Sequence, residues 1–374
     1  MAPGETIRWL VIMAGAPLLW CFAPYRVDPA VRWCGFAFLA WAGFTLAWTP
    51  APLDGVLALA HWLALSAVFA LGASLTGING VLAAIALGAA VNGFFAYSQY
   101  FTGAVPTGLL TNQNLLAEIG LLGTLAVLCL SLSRRSLWAL LLLPLTVTAL
   151  LGATWPPAAK TIIVGIGMAG MACAIQRRRY VLAGVGIIAV AAAVLIVAWT
   201  TGEMTSLTLR IAVWRDAIAG LSPWGHGVGS FTAVFPRFAD ESLGVLLTST
   251  VLVTVAYNDF LTQAFEIGIG VAPLAAIAIM ALRKGMNEDD WSAYVVFAAW
   301  LGLGLVNYPL HAPASAFIGA LLAGHLCRVR DHAGRGAVDR RDAAGGVAQK
   351  PVAQRQGLGS PARRRGVPVL PDGA

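Results

Sequence analysis

The sequence predicts an all-α polytopic membrane protein of about 11 transmembrane helices (about 10 to 12) with one long extracytoplasmic loop. Three observations predict it. Of the 374 residues, 59% are hydrophobic and only 11% are charged, against roughly 45–50% apolar and 25% charged in an ordinary soluble domain. Mean hydropathy is +0.77. The apolar residues come in blocks, without heptad spacing, and the blocks approach the roughly 20 residues that a helix needs to cross the hydrocarbon core. These features exclude a soluble globular enzyme, a disordered chain, a collagen and a coiled coil.

In chain order the candidate spans are 7-24, 31-49, 54-75, 78-101, 113-132, 136-154, 159-175, 180-199, 258-282, 291-308 and 311-327. Loop charge orients them. With an outside N-terminus, one side receives Arg26, Arg32, Arg134, Arg135, Arg177 to Arg179, Arg283, Lys284 and the basic tail. The short loops of the other side hold Lys160 alone. Cytoplasmic loops carry the excess of Lys and Arg, so the N-terminus is expected outside and the tail in the cytoplasm. Trp9, Trp33, Trp48, Trp138, Trp155, Trp199 and Trp291 fall near span ends, where an amphipathic ring sits at the headgroup level. The N-terminus lacks the basic region and small-residue cleavage site of a signal peptide, so the first apolar stretch is expected to remain as a span.

Residues 1-327 are thus read as the transmembrane domain and 328-374 as a basic, disordered cytoplasmic tail. The tail holds ten Lys/Arg against four Asp/Glu, which is six of the seven net positive charges. Rich in Gly, Pro, Ala and Arg, it cannot bury a core and suits anionic lipid. The long loop, 200-257, is placed outside. Its apolar run, Leu243 to Ala256, is short for a span, and counting it as one would invert everything after it. It is read as a re-entrant, interfacial or β-rich piece packed on the bundle. The five cysteines (Cys21, Cys34, Cys129, Cys173, Cys327) have no C-x-x-C spacing and read as packing residues.

In so apolar a chain, clustered polar residues invite a functional hypothesis. The topology collects them on the outer face. Asn112, Gln113 and Asn114 stand at the mouth of a span, with Glu118 about 9 Å below its start. Lys160 lies in the next outer loop. The long loop brings Arg210, Trp214, Arg215, Asp216, His226, Arg237, Asp240 and Glu241, followed by Tyr257, Asn258 and Asp259 at a span entrance, with Glu266 about 10 Å deeper. Asn307, Tyr308 and His311 lie between the last two spans. Plainer readings stand beside each. Asn112 and Asn114 serve equally as helix caps, and Asp259 as a partner of the helix dipole. Glu118 and Glu266 serve as neutral, interhelically bonded carboxyls, and His61 as a packed histidine. The string G-H-G-V-G-S, Gly225 to Ser230, reads as a tight turn better than as a phosphate cradle, because no βαβ context surrounds it. Together these residues describe a polar vestibule whose cations, Lys160, Arg210 and Arg215, suit a diphosphate at the membrane surface.

Three stretches resemble one family, the bacterial O-antigen ligases and related O-antigen or exopolysaccharide polymerases. G-L-L-T-N-Q-N-L-L-A-E, Gly108 to Glu118, is similar to the family's glycine and N-x-N string at a span entrance. R-I-A-V-W-R-D-A-I-A-G-L-S-P-W-G-H-G-V-G-S-F, Arg210 to Phe231, is similar to its R-x-x-x-W helix and following glycine turn. The resemblance continues into Y-N-D-F-L-T-Q-A-F-E-I-G-I-G, Tyr257 to Gly270, similar to H-N-D-x-L-x-x-x-x-E-x-G. V-N-Y-P-L-H-A-P-A-S-A, Val306 to Ala316, is the third. Order and spacing agree over roughly residues 105 to 325, and the middle stretch is the most specific.

The resemblance implies transfer of a glycan from undecaprenyl diphosphate to an acceptor hydroxyl of a lipid or glycan, at the outer face of the bacterial inner membrane. It implies neither a nucleotide sugar nor an obligatory metal; no cofactor and no nucleic acid are expected. The catalytic candidates are Arg210, Tyr257, Asp259 and His311, with Arg210 matching the motif arginine as diphosphate clamp. The substrate-binding candidates are Asn112, Asn114, Lys160, Trp214, Arg215, His226, Asn258 and Glu266. Arg210 and Arg215 are five residues apart and diverge by about 140° on a helix, so Arg215 is read as an outer contact or a salt-bridge partner. The chain departs from the family in three places. Tyr257 stands where the family has histidine, and with a usual pKa of about 10 a tyrosine is a poor base. Either Tyr257 hydrogen-bonds the diphosphate or acceptor while Asp259, His226 or His311 takes the proton, or the activity is altered or lost. W-P-P-A-A-K replaces an S-R pair ahead of the seventh span, and eleven spans are counted where relatives have about twelve. Two other readings remain, a transporter or flippase of lipid-linked sugars and a non-catalytic member that binds the carrier.

Overall fold

A computed structural model describes residues 9, 12, 27–110, 112–134, 141, 143–144, 146–147, 164–165, 167–173, 204–240, 243, 253–287 and 290–329. The described residues are helical, with no strand among them; a lone antiparallel bridge joins Val27 to Arg328. The expected spans 7-24, 136-154 and 180-199 fall wholly or largely outside the described residues, as does Lys160; of 159-175, residues 164–165 and 167–173 are described and helical. The tail beyond Val329 separates as a second unit and lies outside them too.

Helix α1 is Pro29–Phe44, extended by a 3-10 turn over Thr45–Ala47; α2 is Pro52–Ser74, α3 Asn79–Phe101 and α4 Gln113–Arg134. After the long loop's α5, Met204–Ala219, come α6 Asp259–Ile267, α7 Val271–Asn287, α8 Trp291–Leu303 and α9 Pro313–Leu326. Proline stands at the first position of α1, α2 and α9, where the missing N–H costs nothing and φ is already helical. Among the described residues, five stretches are long and apolar enough to cross a membrane: Pro29–Ala47, Pro52–Ser74, Asn79–Phe101, Gln113–Leu132 and Asp259–Met286.

Small residues set the helix packing. α2 and α9 run parallel in close contact, with Gly72 against the backbone of Leu321 and His325, and Gly324 against that of Phe69 and Ala73. α3 and α4 form an antiparallel hairpin closed by Gln99, whose Oε1 accepts from the amides of Thr107 and Gly108 at 2.8 Å. α1 and α7 are antiparallel and pinned at both ends. The indole of Trp41 donates to the Ile267 carbonyl at 2.8 Å, and Lys284 donates to Asp28 at 2.7 Å. α8 is buried over nearly its whole length and forms the centre of the largest apolar cluster.

The lower pin has a pH signature. Asp28 accepts from Lys284 and caps α1 through Ala30 N, and the Lys284 hydrogen bond leads in holding its carboxyl below the usual range. A depressed carboxyl contributes its full stability above the ordinary Asp value of about 3.9 and loses it as pH falls through the lowered one. Asp28→Asn is expected to lower thermal stability at neutral pH by less than about 1 kcal/mol, the pair being partly solvated. Unfolding scans of wild type and variant should converge in acid.

The expected span 258-282 falls in the apolar stretch Asp259–Met286, which breaks at Gly268–Gly270, where Gly268 has φ +54 and its backbone lies against Pro223 and Gly225. The short α6 packs chiefly on α5. Two other expectations need correction. α8 and α9 have 13 and 14 residues, shorter than the expected 291-308 and 311-327, because the turn between them takes residues 304–312. Trp9 is not interfacial. It is buried and stacks on His61 at 4.1 Å, beside Leu65 and Ala316. His61 is therefore the packed histidine expected of it.

Residues between Val213 and Phe265 form a small core of their own. Val213 and Ala217 of α5 meet Phe231, Phe235, Phe265 and, from the apolar run, Leu243, Val253 and Ala256. The described ends of that run thus pack into this core; residues 244–252 lie outside the described set. The glycine turn 225–229 docks on the start of α2. Val228 N donates to Thr45 Oγ1 at 3.0 Å, and Thr49 Oγ1 donates to Val228 O at 3.3 Å. Gly227 has φ +101, and a Cβ there would lie 2.6 Å from Thr49 Cα. Gly227→Ala is therefore expected to destabilise by about 2 kcal/mol, combining left-handed strain with a backbone clash. The readout is the thermal midpoint in detergent.

Candidate functional site

The site forms where α5, the start of α6, the turn 304–312 and the mouth of α4 meet. On α5, Arg210 and Trp214 are one turn apart and share a face. The indole of Trp214 donates to the Ala256 carbonyl at 2.7 Å, which fixes the approach to Tyr257. The Arg210 guanidinium lies 5.3 Å from the Tyr257 ring centroid and donates to the Val306 carbonyl. Among the described residues Tyr257 is the sole non-glycine with positive φ, at 54°. A bulky residue keeps that backbone at a cost and needs its surroundings to hold it. Here Arg210 covers the ring, and Tyr308 meets it edge-on at 6.1 Å. The Tyr308 hydroxyl accepts from Asn112 Nδ2 at 3.0 Å.

Beside this stack sits an acid–imidazole pair. Asn258 caps α6, its side chain accepting from Leu261 N at 3.0 Å, and this starts the helix at Asp259. The Asp259 amide donates to Gly304 O at 2.9 Å. The carboxylate is 2% exposed, accepts from Leu310 N at 2.7 Å, and faces His311 Nδ1 at 2.8 Å. With the other oxygen committed to an N–H, the natural assignment has Nδ1 donating. A neutral His311 then carries its lone pair on Nε2, and the side chain is 30% exposed.

The structure brings together Asn112, Arg210, Trp214, Tyr257, Asn258, Asp259 and His311, one or more from each of the three motif stretches. Asn112 is also the helix cap, since its Oδ1 accepts from Asn114 N at 2.7 Å; Asn114 enters the site through that amide. The other described candidates are used elsewhere. Arg215 turns away from Arg210, as the helical step requires, and pairs with Asp216 at 2.8 Å and Asp240 at 3.0 Å. The Asp216 hydrogen bond, then its charge, raise the Arg215 pKa. The His226 ring packs against Phe265 and Phe238, with Nε2 2.7 Å from the Gly220 carbonyl. Glu266 accepts from the amides of Gly229 and Phe231 at 3.0 and 3.1 Å. The glycine turn that superficially resembles a phosphate cradle thus already has a carboxylate on its Gly229 amide and on the Phe231 amide that follows it. Tyr308, counted in the sequence among the polar residues of the vestibule but given no catalytic or binding role there, is the residue that links Asn112 to Tyr257.

No protein-family model matches the chain, and no curated protein matches it significantly in sequence.

Proposed function

We propose that the protein transfers a glycan from undecaprenyl diphosphate to an acceptor hydroxyl, in the manner of the O-antigen ligases and polymerases its motifs resemble. The convergence of Asn112, Arg210, Tyr257, Asp259 and His311 on one position carries this reading, because the resemblance alone required three distant stretches to meet. The reading includes the eleven-span topology, with the N-terminus and loop 200-257 periplasmic and the tail cytoplasmic.

Each group has a task. Arg210 presents an N–H fork, of which the Val306 carbonyl takes one hydrogen, to the lipid diphosphate. As the bond from the anomeric carbon to the diphosphate oxygen breaks, negative charge grows on the leaving group. A placed cationic donor stabilises it by roughly 3 kcal/mol. His311 Nε2 takes the proton of the acceptor hydroxyl, and Asp259 fixes the ring and its tautomer. Tyr257 holds the guanidinium plane, a task a ring performs without titrating. Purified protein with a synthetic polyprenyl-diphosphate glycan and candidate acceptors tests the proposal. Acceptor-dependent release of polyprenyl diphosphate supports transfer; movement of intact lipid across a liposome without bond cleavage supports a flippase instead.

A further inference from the structure

One apolar surface joins a spanning helix to the segment that carries Arg210. On α1, Trp33, Phe36 and Phe44 are exposed along one face. Beside Phe44, the Trp41 ring stacks on Trp224, with centroids 5.8 Å apart. Trp224 is itself 64% exposed. The exposed residues that lead to it from the end of α5 are Ile218, Ala219, Leu221 and Pro223, all apolar. The 20 residues between Asp216 and Arg237 include no Asp, Glu, Lys or Arg. Charge resumes one turn back along α5, where Arg215 pairs with the exposed Asp240 at 3.0 Å.

The fold sets the depth of this surface. Asp28 and Lys284 close one end of the antiparallel α1 and α7 pair, and such charges stay at the polar boundary. Trp41 follows Pro29 by 12 residues, which is about 18 Å along α1, and the hydrocarbon core is about 30 Å thick. The stack with Trp41 therefore holds the Trp224 ring about 10 Å inside the opposite boundary. Irregular backbone at that depth survives where the protein itself satisfies its polar groups. The turn does so. The amides of Leu221, Gly225, His226 and Gly227 donate to the carbonyls of Ile218, Ser222, Phe265 and Glu266 at 3.1, 3.0, 3.1 and 2.8 Å, and the Pro223 carbonyl accepts from Ile269 N at 2.9 Å. Gly225 and Gly268 permit this closeness, since a Cβ on either would strike the backbone of the other segment.

We propose that Ile218, Leu221 and Trp224 form a membrane anchor, seated among lipid acyl chains just beneath the headgroups of the leaflet that faces the site. Arg210 stands eight residues from Ile218, about 12 Å along α5, so an anchor at this depth holds the guanidinium at the level of lipid phosphates. The proposal rests on the bilayer-spanning topology of the transfer reading and on none of its chemistry.

The test needs neither a variant nor turnover. Full-length wild-type protein is placed in nanodiscs of phosphatidylcholine with a diazirine in the upper part of one acyl chain, irradiated, digested and mapped by mass spectrometry. Lipid adducts are expected at Leu221 and Trp224 with a yield within about twofold of that at Phe44 and about tenfold above that at Arg237. Hydroxyl-radical oxidation of the same nanodiscs should spare Trp224. Adducts at Phe44 with none at residues 218–224 overturn the anchor. In that event an oxidised Trp224 that added glycan protects marks a sugar-binding surface, and a Trp224 neither labelled nor oxidised marks contact with a second copy or another protein. A protein that shows the adducts but transfers no glycan keeps the anchor and loses the transfer reading; one that transfers without them does the reverse.

Discussion

Arg210→Ala is expected to cut transfer by about 10²- to 10³-fold while the protein stays folded and inserted. The argument rests on where the guanidinium stands. It is held over the Tyr257 ring and against the Val306 carbonyl, so it meets a diphosphate already oriented. Arg210→Lys keeps the charge but loses the planar fork and the stacking, and should fall between wild type and alanine. Arg215→Ala is the control. Its side chain is 57% exposed and its donors go to Asp216 and Asp240, so activity should change little. The measurements are the initial rate of polyprenyl diphosphate release and the thermal midpoint of each variant in detergent. An alanine variant with unchanged midpoint and wild-type rate removes the clamp from the mechanism.

The contrast between the two arginines was legible in the sequence, since five residues on a helix cannot face one ligand. Helix positions were legible for the same kind of reason. Apolar block length sets the span, and α1 to α4 lie within a few residues of the blocks that predict them. What stayed hidden was local. Hydropathy continues smoothly through Gly268–Gly270, so only the two glycines and Pro273 hint that α6 and α7 separate; the break follows from backbone contact with Pro223 and Gly225, which are distant in sequence. His226 and Glu266 looked like site residues because polar groups in an apolar chain attract attention. Both instead satisfy backbone groups around the glycine turn, a demand that arises once the turn is folded and buried. The Asp259 and His311 pairing spans 52 residues and has no periodic signature; motif resemblance placed the two in one neighbourhood, and the turn 304–312 supplies the contact.

That pairing yields the second large effect. Asp259→Asn is expected to lower kcat by about 10³-fold with little change in KM for the lipid. The native carboxylate accepts two bonds, from Leu310 N and from His311 Nδ1. An asparagine accepts one of them and presents its NH₂ to the other. Leu310 N is a fixed donor, so the amide oxygen goes to it and the NH₂ faces His311. The imidazole then accepts at Nδ1 and carries its hydrogen on Nε2, the atom that must receive the acceptor's proton. Arg210 is untouched, so lipid binding persists and the loss appears in kcat. His311→Ala should match that loss, and the double variant should lose little more than either single one, because the two act as a unit. Additive losses would mean that Asp259 and His311 serve separate steps. Full activity in either single variant would move proton abstraction to another group.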